Sequence, residues 1–132
     1  MTRPSLPVML WRGVRRRCAF CGGRGAFFTG WFSKQERCKT CGIGWHRGYE
    51  GFELGAMAIS AVICLGTLVV AMAIGMVATS PDIAVVPLLV GLGVGAIVLP
   101  VLVYPVSYTV WQAVDLAMRP PQAGDFAPPA AP

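Results

Sequence analysis

Charged residues are scarce in this chain, and two long stretches have none at all. Only 13% of the 132 residues are charged, and no Asp, Glu, Lys or Arg occurs in residues 54–79 or 83–114. This composition excludes an ordinary soluble domain. Proton relays and ion paths normally need an ionisable side chain inside the membrane, so the same absence argues against a transporter.

Histidine is nearly absent too, because His46 is the only one. No candidate nucleophile lies beside a base in the sequence, and no glycine-rich phosphate loop follows a strand. We therefore expect that the protein is not an enzyme. We interpret His46 as a surface or interfacial side chain.

The two uncharged stretches are strongly apolar. Each is longer than the roughly 18 residues that can cross a hydrocarbon core about 30 Å thick. Because backbone groups in lipid must satisfy their own hydrogen bonds, both stretches should be helical. We predict a membrane α-helical hairpin of two transmembrane helices over residues 53–119. Its first helix spans about 53–78, and its second begins at a Ser80 cap with Pro81 in the first turn.

The second apolar stretch is too long for a single crossing. We expect it to cross the membrane at residues 83–105 and to kink or break at Pro100 and Pro105, each of which removes a helical hydrogen bond. Residues 106–118 should then form an interfacial extension along the inner membrane surface. Aromatic side chains there would form the interfacial belt: Tyr104, Tyr108 and Trp111. The Pro- and Ala-rich tail, residues 120–132, should be disordered.

Small residues on the two helices indicate where they touch. Pairs of them stand four apart and would face each other when the chain folds at Pro81, so that the helices approach closely. These helix-packing residues are Ala71, Gly75, Gly91 and Gly95. Glycine is also common in membrane helices for other reasons, and this alternative stays open. We interpret Cys64, inside the first helix, as a small packing residue.

Positive charge is concentrated before the first helix. Residues 1–53 hold ten of the eleven Lys and Arg residues and three acids, whereas the turn at Asp82 has no cation. Positively charged segments stay in the cytoplasm. We therefore predict a multi-pass protein of the inner (cytoplasmic) membrane with both termini cytoplasmic. The arginines at 15–17, at the end of a basic arm (residues 1–16), could bind nucleic acid, but we favour a topology signal near anionic headgroups.

Four cysteines precede the helices in a C-x2-C, sixteen-residue, C-x2-C pattern: Cys18, Cys21, Cys38 and Cys41. This spacing is typical of a tetrahedral metal site, and Gly22 and Gly42 suit the tight turn that follows each pair. We predict that residues 17–50 form a small zinc-ribbon-like β knuckle domain, folded by Zn²⁺, in which a strand pair brings the turns together. Iron fits the same sulfur cage, and a reducing cytoplasm disfavours disulfides.

Aromatic residues between the cysteine pairs and acids after them are further candidates. The segment 27–34 could stack on bases, but we favour its covering the small core or dipping into the membrane interface. Glu50 and Glu53 stand at the mouth of the first helix. They either contact a partner or balance nearby arginines and the helix N-terminus, and we favour the second interpretation.

The paired knuckles, the helix start Gly51–Met57 and the exit segments Tyr104–Ser107 and Asp115–Pro120 resemble a bacterial family without known activity, domain-of-unknown-function family 983. The resemblance covers about residues 17–120 and implies a small, cysteine-paired membrane protein with two helices. The setting of some members implies a role in respiratory-complex assembly. Many members have proline after the first cysteine of a pair and Asp-Gly-Asp-Gly before the first helix. At those places this chain has Ala19, Lys39 and Glu50-Gly51-Phe52-Glu53.

The sequence favours a non-enzymatic accessory protein. Its metal ribbon would dock a membrane or cytoplasmic protein partner, while the hairpin is held in the lipid bilayer. Metal or redox handling by the four thiolates is one alternative. Nucleic-acid binding at the membrane is another, although we do not expect a nucleic-acid partner. The sequence also permits a homo-oligomer.

Overall fold

The fold is a helical hairpin that carries a cysteine-rich module on one end. The computed structural model describes residues 2–24 and 28–126. Its elements are α1 (Leu6–Val14), α2 (Phe52–Ala78), α3 (Val85–Met118) and a short 3-10 turn (Ala123–Asp125). α2 packs against α3 as an antiparallel neighbour, and α1 packs against the opposite end of the hairpin from the connecting turn.

Helices α2 and α3 are both long and apolar enough to cross a membrane, which confirms that part of the prediction. In the most apolar window of each helix, 6% of the α2 residues and 0% of the α3 residues are buried. A core helix of a soluble protein buries at least one apolar stripe, so these exposed surfaces suit a lipid environment. α2 begins after Gly51, whose φ of +94° favours glycine.

Gly75 and Gly95 lie at the contact between α2 and α3. A Cβ atom on Gly75 would come within 2.4 Å of a leucine side chain on α3, and one on Gly95 would lie 3.3 Å from a leucine on α2. Of the other two proposed packing residues, Ala71 is exposed and a Cβ on Gly91 would meet nothing within 4 Å, so a close contact at these positions stays a prediction. Each of the two contacting glycines faces a leucine rather than another small residue.

Helix α3 begins later than predicted. The Ser80–Pro81 peptide is cis, Ala84 is the N-cap, and Val85 is the first helical residue. The prediction of a Ser80 cap with Pro81 in the first turn is therefore wrong. Pro87 explains the difference: a helix starting at Pro81 would place this second proline in its interior, whereas a start at Val85 leaves it in the first turn, where no N–H is needed.

Helix α3 continues unbroken through Pro100 and Pro105. Pro105 has no N–H to donate to the carbonyl of Val101. The indole Nε1–H of Trp31 donates to that oxygen instead, at 2.5 Å. A side chain of the cysteine module thus replaces the helical hydrogen bond that the proline removes, which is one reason why the predicted break is absent.

The C-terminal half of α3 differs most from the prediction. Residues 106–118 do not form a separate interfacial segment, because they continue the helix into the cysteine module and supply part of its core. Tyr108 is only 5% exposed, so it belongs to this core and not to an aromatic belt. The mixed polar and apolar pattern of this half faces protein: the Thr109 hydroxyl, for example, donates to the Gly13 carbonyl of α1 at 2.6 Å.

The cysteine module contains no β-strand within residues 2–24 and 28–126, so the predicted strand pair is not found there. Isolated bridges join Arg17 to Arg24, Phe28 to Lys34, Arg37 to Gly44 and Ile43 to Phe126. Because α1 and α3 supply the surface on which the cysteine turns pack, the module needs no sheet of its own.

Both ends of the chain add to the module. Residues 6–14 of the basic arm form α1, and a Cβ atom on Gly13 would lie 2.8 Å from the Thr109 carbonyl oxygen, so the two helices cross closely. Predicted disorder is wrong for residues 120–126, because Phe126 pairs with Ile43. The rest of the predicted tail, residues 127–132, lies outside the described residues.

Candidate metal centre

The two cysteine pairs lie in turns of the same geometry. Gly22 and Gly42 have φ angles of +76° and +77°. Their N–H groups donate to the carbonyls of Cys18 and Cys38, both at 2.8 Å. The N–H groups of the same two cysteines donate to the carbonyls of residues 23 and 43, at 3.1 and 2.9 Å. Each pair therefore forms a closed knuckle. The residue after the pair needs a left-handed backbone conformation, which explains why it is glycine.

The four sulfur atoms form one cluster. All lie within 4.8 Å of one another. Cys18 Sγ lies 3.9 Å from Cys41 Sγ, and Cys21 Sγ lies 3.8 Å from Cys38 Sγ. Four sulfurs bound at about 2.3 Å around one zinc ion would be about 3.8 Å apart at the corners of a tetrahedron. The cluster could therefore hold one metal ion, with no ligand position left for water, and the prediction of a four-cysteine site is confirmed to that extent.

One edge of the sulfur cluster is buried and the other is accessible. Cys18 and Cys38 are 0% and 3% exposed, whereas Cys21 and Cys41 are half-buried. The hydrogen bond between Cys18 and Cys38 lowers the pKa of the Cys38 thiol to about 4 and raises the pKa of Cys18, while burial raises the pKa of Cys41 to about 12. Without a metal, part of the cluster stays protonated, so metal binding releases protons.

Helices α1 and α3 hold the first knuckle from two sides. Arg12 of α1 donates from Nη1 to the Phe20 carbonyl at 2.7 Å. The side-chain oxygen of Gln112, on α3, accepts from the N–H of Ala19 at 3.3 Å, and Ala19 is fully buried. A proline at position 19 could not make this bond, because it has no N–H. The first knuckle is thus fixed directly to the helix that continues into the hairpin.

The second knuckle is fixed by packing. Ile43, which follows it, is fully buried and pairs with Phe126. A Cβ atom on Gly23 of the first knuckle would lie 2.5 Å from the Thr40 hydroxyl of the second. The two turns therefore approach each other closely, and a larger residue at position 23 would require the Thr40 side chain to move.

The aromatic residues between the cysteine pairs have two environments. Phe28 is 9% exposed and packs edge-on against rings of the module core, with centroids 6.0–6.2 Å away. These rings belong to Trp45, Tyr104 and Tyr108. Trp31 and Phe32 are 39% and 61% exposed, beside the apolar helices. One part of the segment covers the core and the other is free to meet a membrane; Phe27 lies outside the described residues.

The two acids at the start of α2 have different roles. Glu53 accepts hydrogen bonds from the Lys34 ammonium at 3.0 Å and from the Tyr108 hydroxyl. Lys34 also lies 4.1 Å above the centre of the Tyr108 ring. Glu50 is exposed and forms no ion pair with any other described residue. Of the two interpretations, balancing a nearby cation therefore describes Glu53, and this cation is Lys34 rather than one of the expected arginines.

A cleft of about 760 Å³ opens beside Glu53. Its polar lining includes Lys34, Glu36, His46, Arg47 and Asp125. His46 is exposed and is not part of the sulfur cluster; its ring lies 5.8 Å from that of Phe52. The cleft carries charges of both signs.

A buried ion-pair network was missed by the sequence analysis. The side chains of Arg47 and Asp115 are 2% and 9% exposed and form a direct ion pair. Arg47 also reaches Asp125 Oδ2 at 3.4 Å and donates to the Arg119 carbonyl at 3.0 Å. The pair between Asp115 and Arg119, four apart on one helix, is long at 4.0 Å. The position of Asp115 at the end of a long uncharged helix was the one indication that it needs a cation, and Arg119 was the nearer candidate in the sequence.

Comparison with known proteins identifies no relative of this chain. No family model matches it, and no match was found among curated proteins or solved structures. The class of protein is therefore defined by the structure alone. It has two helices that are long and apolar enough to span a membrane, and they are joined to a four-cysteine cluster that could bind a metal ion.

Proposed function

We propose that the protein is an integral membrane accessory protein whose zinc-bound module docks a protein partner at the cytoplasmic face. The observation that carries this proposal is the continuity of α3, which leaves its apolar stretch and becomes part of the module core. Since Gln112 of the same helix binds the first knuckle, the module cannot swing freely on the hairpin. A surface held rigidly at the membrane suits a docking role better than a tethered domain would.

Zinc is the metal that best suits the sulfur cluster. Tetrahedral sites made only of thiolates are typical of structural zinc, and S···S distances of 3.8–3.9 Å fit its bond length. The residues outside the hairpin are too few to form a stable core without help, so a metal staple has a clear role. When bound, the metal would join the two knuckles and order the module.

The cleft beside Glu53 is the proposed docking surface. It lies where α2, α3 and the module meet, and it presents both acidic and basic groups to a partner. Its volume of about 760 Å³ could take several side chains of a bound segment. The resemblance to family 983 favours a membrane complex of the respiratory system as the partner.

Blue-native electrophoresis after mild detergent extraction tests this proposal. We expect the full-length protein to migrate in a complex with a co-purifying protein, and Glu36→Lys at the cleft to weaken that complex while metal content stays unchanged. Lys39→Glu, an exposed charge reversal on the second knuckle, is the matched control. Monomeric migration of the metal-loaded wild type without a partner would contradict the docking role. Reporter fusions at the N-terminus test the cytoplasmic placement separately.

Metal handling is a second candidate, favoured by the accessible edge of the sulfur cluster. Because Cys21 and Cys41 are half-buried, an incoming ligand can reach two of the four thiolates. Transfer of zinc to a weak chromogenic chelator within minutes, without unfolding, would support this function. Retention of zinc under the same conditions would contradict metal handling and support a purely structural role for the metal.

A further inference from the structure

A second cavity, of about 340 Å³, is lined almost entirely by arginine. Its walls are formed by Arg15, Arg16, Arg17, Arg24 and Phe28. None of these four arginines forms an ion pair within residues 2–24 and 28–126. The residues outside those ranges contain no Asp or Glu. No acidic side chain of this chain therefore neutralises the cavity.

Arg16, in the wall of this cavity, has an unusual backbone conformation and a buried donor without an acceptor in the described part of the chain. Its φ of +57° lies in the left-handed region, which residues other than glycine rarely adopt. Its guanidinium lies 4.6 Å from the centre of the Trp31 ring. Its Nε–H is buried and finds no acceptor among the described residues. Buried donors normally have an acceptor, so an oxygen atom of a bound molecule or of an ordered water could satisfy this group.

The arginine cavity lies at the edge of the apolar hairpin. The indole of Trp31, which stacks under Arg16, donates to the Val101 carbonyl near the module end of the apolar stretch of α3. The neighbouring Phe32 is 61% exposed and packs on Tyr104 of the same helix. In the proposed membrane placement, aromatic side chains of this kind lie at the headgroup level, and lipid phosphates lie beside them.

We propose that the arginine cavity binds the phosphate group of an anionic lipid of the inner leaflet. Guanidinium groups donate paired hydrogen bonds to phosphate oxygens, and Arg is the preferred residue for that recognition. A choline headgroup would bring its own cation towards four arginines, so the site should select headgroups with net negative charge. This proposal rests on the membrane insertion proposed above, but on neither the metal nor the protein partner.

Native mass spectrometry of the full-length protein in a neutral maltoside detergent tests the site. The probes are short-chain phosphatidylglycerol, phosphatidylcholine of the same chain length, and inorganic phosphate. The test variant is Arg15→Gln/Arg24→Gln, because both side chains are exposed and the fold should tolerate their loss. The matched control is Arg37→Gln/Lys39→Gln, which removes two exposed charges from the second knuckle.

We expect the wild type to retain one phosphatidylglycerol in preference to phosphatidylcholine. Each arginine near a lipid phosphate is worth about fivefold in binding, so the test variant should lose roughly 25-fold in phosphatidylglycerol affinity and the control less than about twofold. The metal content of both variants should equal that of the wild type, which shows that the module is folded.

Several results would overturn the proposal. Equal losses in the test and control variants would mean that general charge attraction, and not the cavity, retains the lipid. Binding of inorganic phosphate without phosphatidylglycerol would assign the cavity to a free anion, and tighter binding of a short single-stranded oligonucleotide would assign it to nucleic acid. Extraction of the protein from native membranes by alkaline washing would instead contradict the membrane insertion itself.

Discussion

Arg47→Met should be among the most damaging single substitutions outside the cysteines. The Arg47 side chain is 2% exposed and that of its ion-pair partner Asp115 is 9% exposed. Removing the guanidinium leaves the Asp115 carboxylate buried without its cation, and also removes the nearest cation of Asp125. Breaking a buried ion pair in this way costs about 3–5 kcal/mol.

Arg119→Met is the matched control, because it removes a guanidinium from the same carboxylate. Arg119 is 50% exposed and lies 4.0 Å from the other oxygen of Asp115. Exposed pairs contribute no more than about 1 kcal/mol. Arg47 has a left-handed φ of +41°, but methionine and arginine both carry an unbranched Cβ, so the backbone cost should be nearly the same for either residue.

Thermal unfolding in maltoside detergent, followed by tryptophan fluorescence, measures the difference. Trp45 is 4% exposed in the module core and should report its loss of packing. For a domain of this size, about 3 kcal/mol corresponds to a decrease in Tm of roughly 12 °C or more, whereas the Arg119 variant should lose only a few degrees. Asp115→Asn added to Arg47→Met should recover part of the loss, because it removes the unpaired charge. Equal decreases for the two arginine variants would refute the reasoning.

Two further predictions concern the metal and the helix contact. Cys18→Ser should abolish zinc binding and destabilise the module, while Cys64→Ser, which lies in α2 away from the cluster, should keep the wild-type metal content in elemental analysis. Gly55→Ala should lower the Tm, because its Cβ would lie 1.9 Å from the Trp111 indole and overpacking of this kind costs about 1–3 kcal/mol. Gly66→Ala, on the same helix with nothing within 4 Å, should keep or slightly raise the Tm, because alanine favours a helix more than glycine does. A Gly55→Ala variant as stable as the wild type would contradict the close contact of α2 and α3.

The features that the sequence predicted correctly depend on local chemistry. Thiol spacing brings each cysteine pair to one side of a turn, and the left-handed φ angles of Gly22 and Gly42 follow from the same turn. The length and hydropathy of an apolar stretch likewise determine that it can be a spanning helix without reference to other elements. The start of α3 is less determined by the sequence, because Pro87 favours a start at Val85 whereas the same helix accepts Pro100 and Pro105 in its interior.

The features that were missed depend on contacts between distant parts of the chain. Arg47 resembles any other cation of the basic segment, and its burial follows only from the position of Asp115, 68 residues away. The C-terminal half of α3 has the composition of an interfacial helix, because its apolar residues suit either lipid or a protein core. Sequence could not decide between lipid and a protein core, since it does not indicate that Gln112 meets the first knuckle and that Thr109 meets α1.

The metal cluster and the hairpin should behave as one cooperative unit. The buried core combines Cys18 and Cys38 of the knuckles with Leu116 of α3 in one cluster of side chains. Glu53 adds a second connection, because it joins the start of α2 to α3 and to Lys34 of the module. Loss of the metal would therefore remove packing from the end of both helices and would disturb the cleft between them. A metal bound at the four cysteines would thereby stabilise the proposed docking surface without taking part in it.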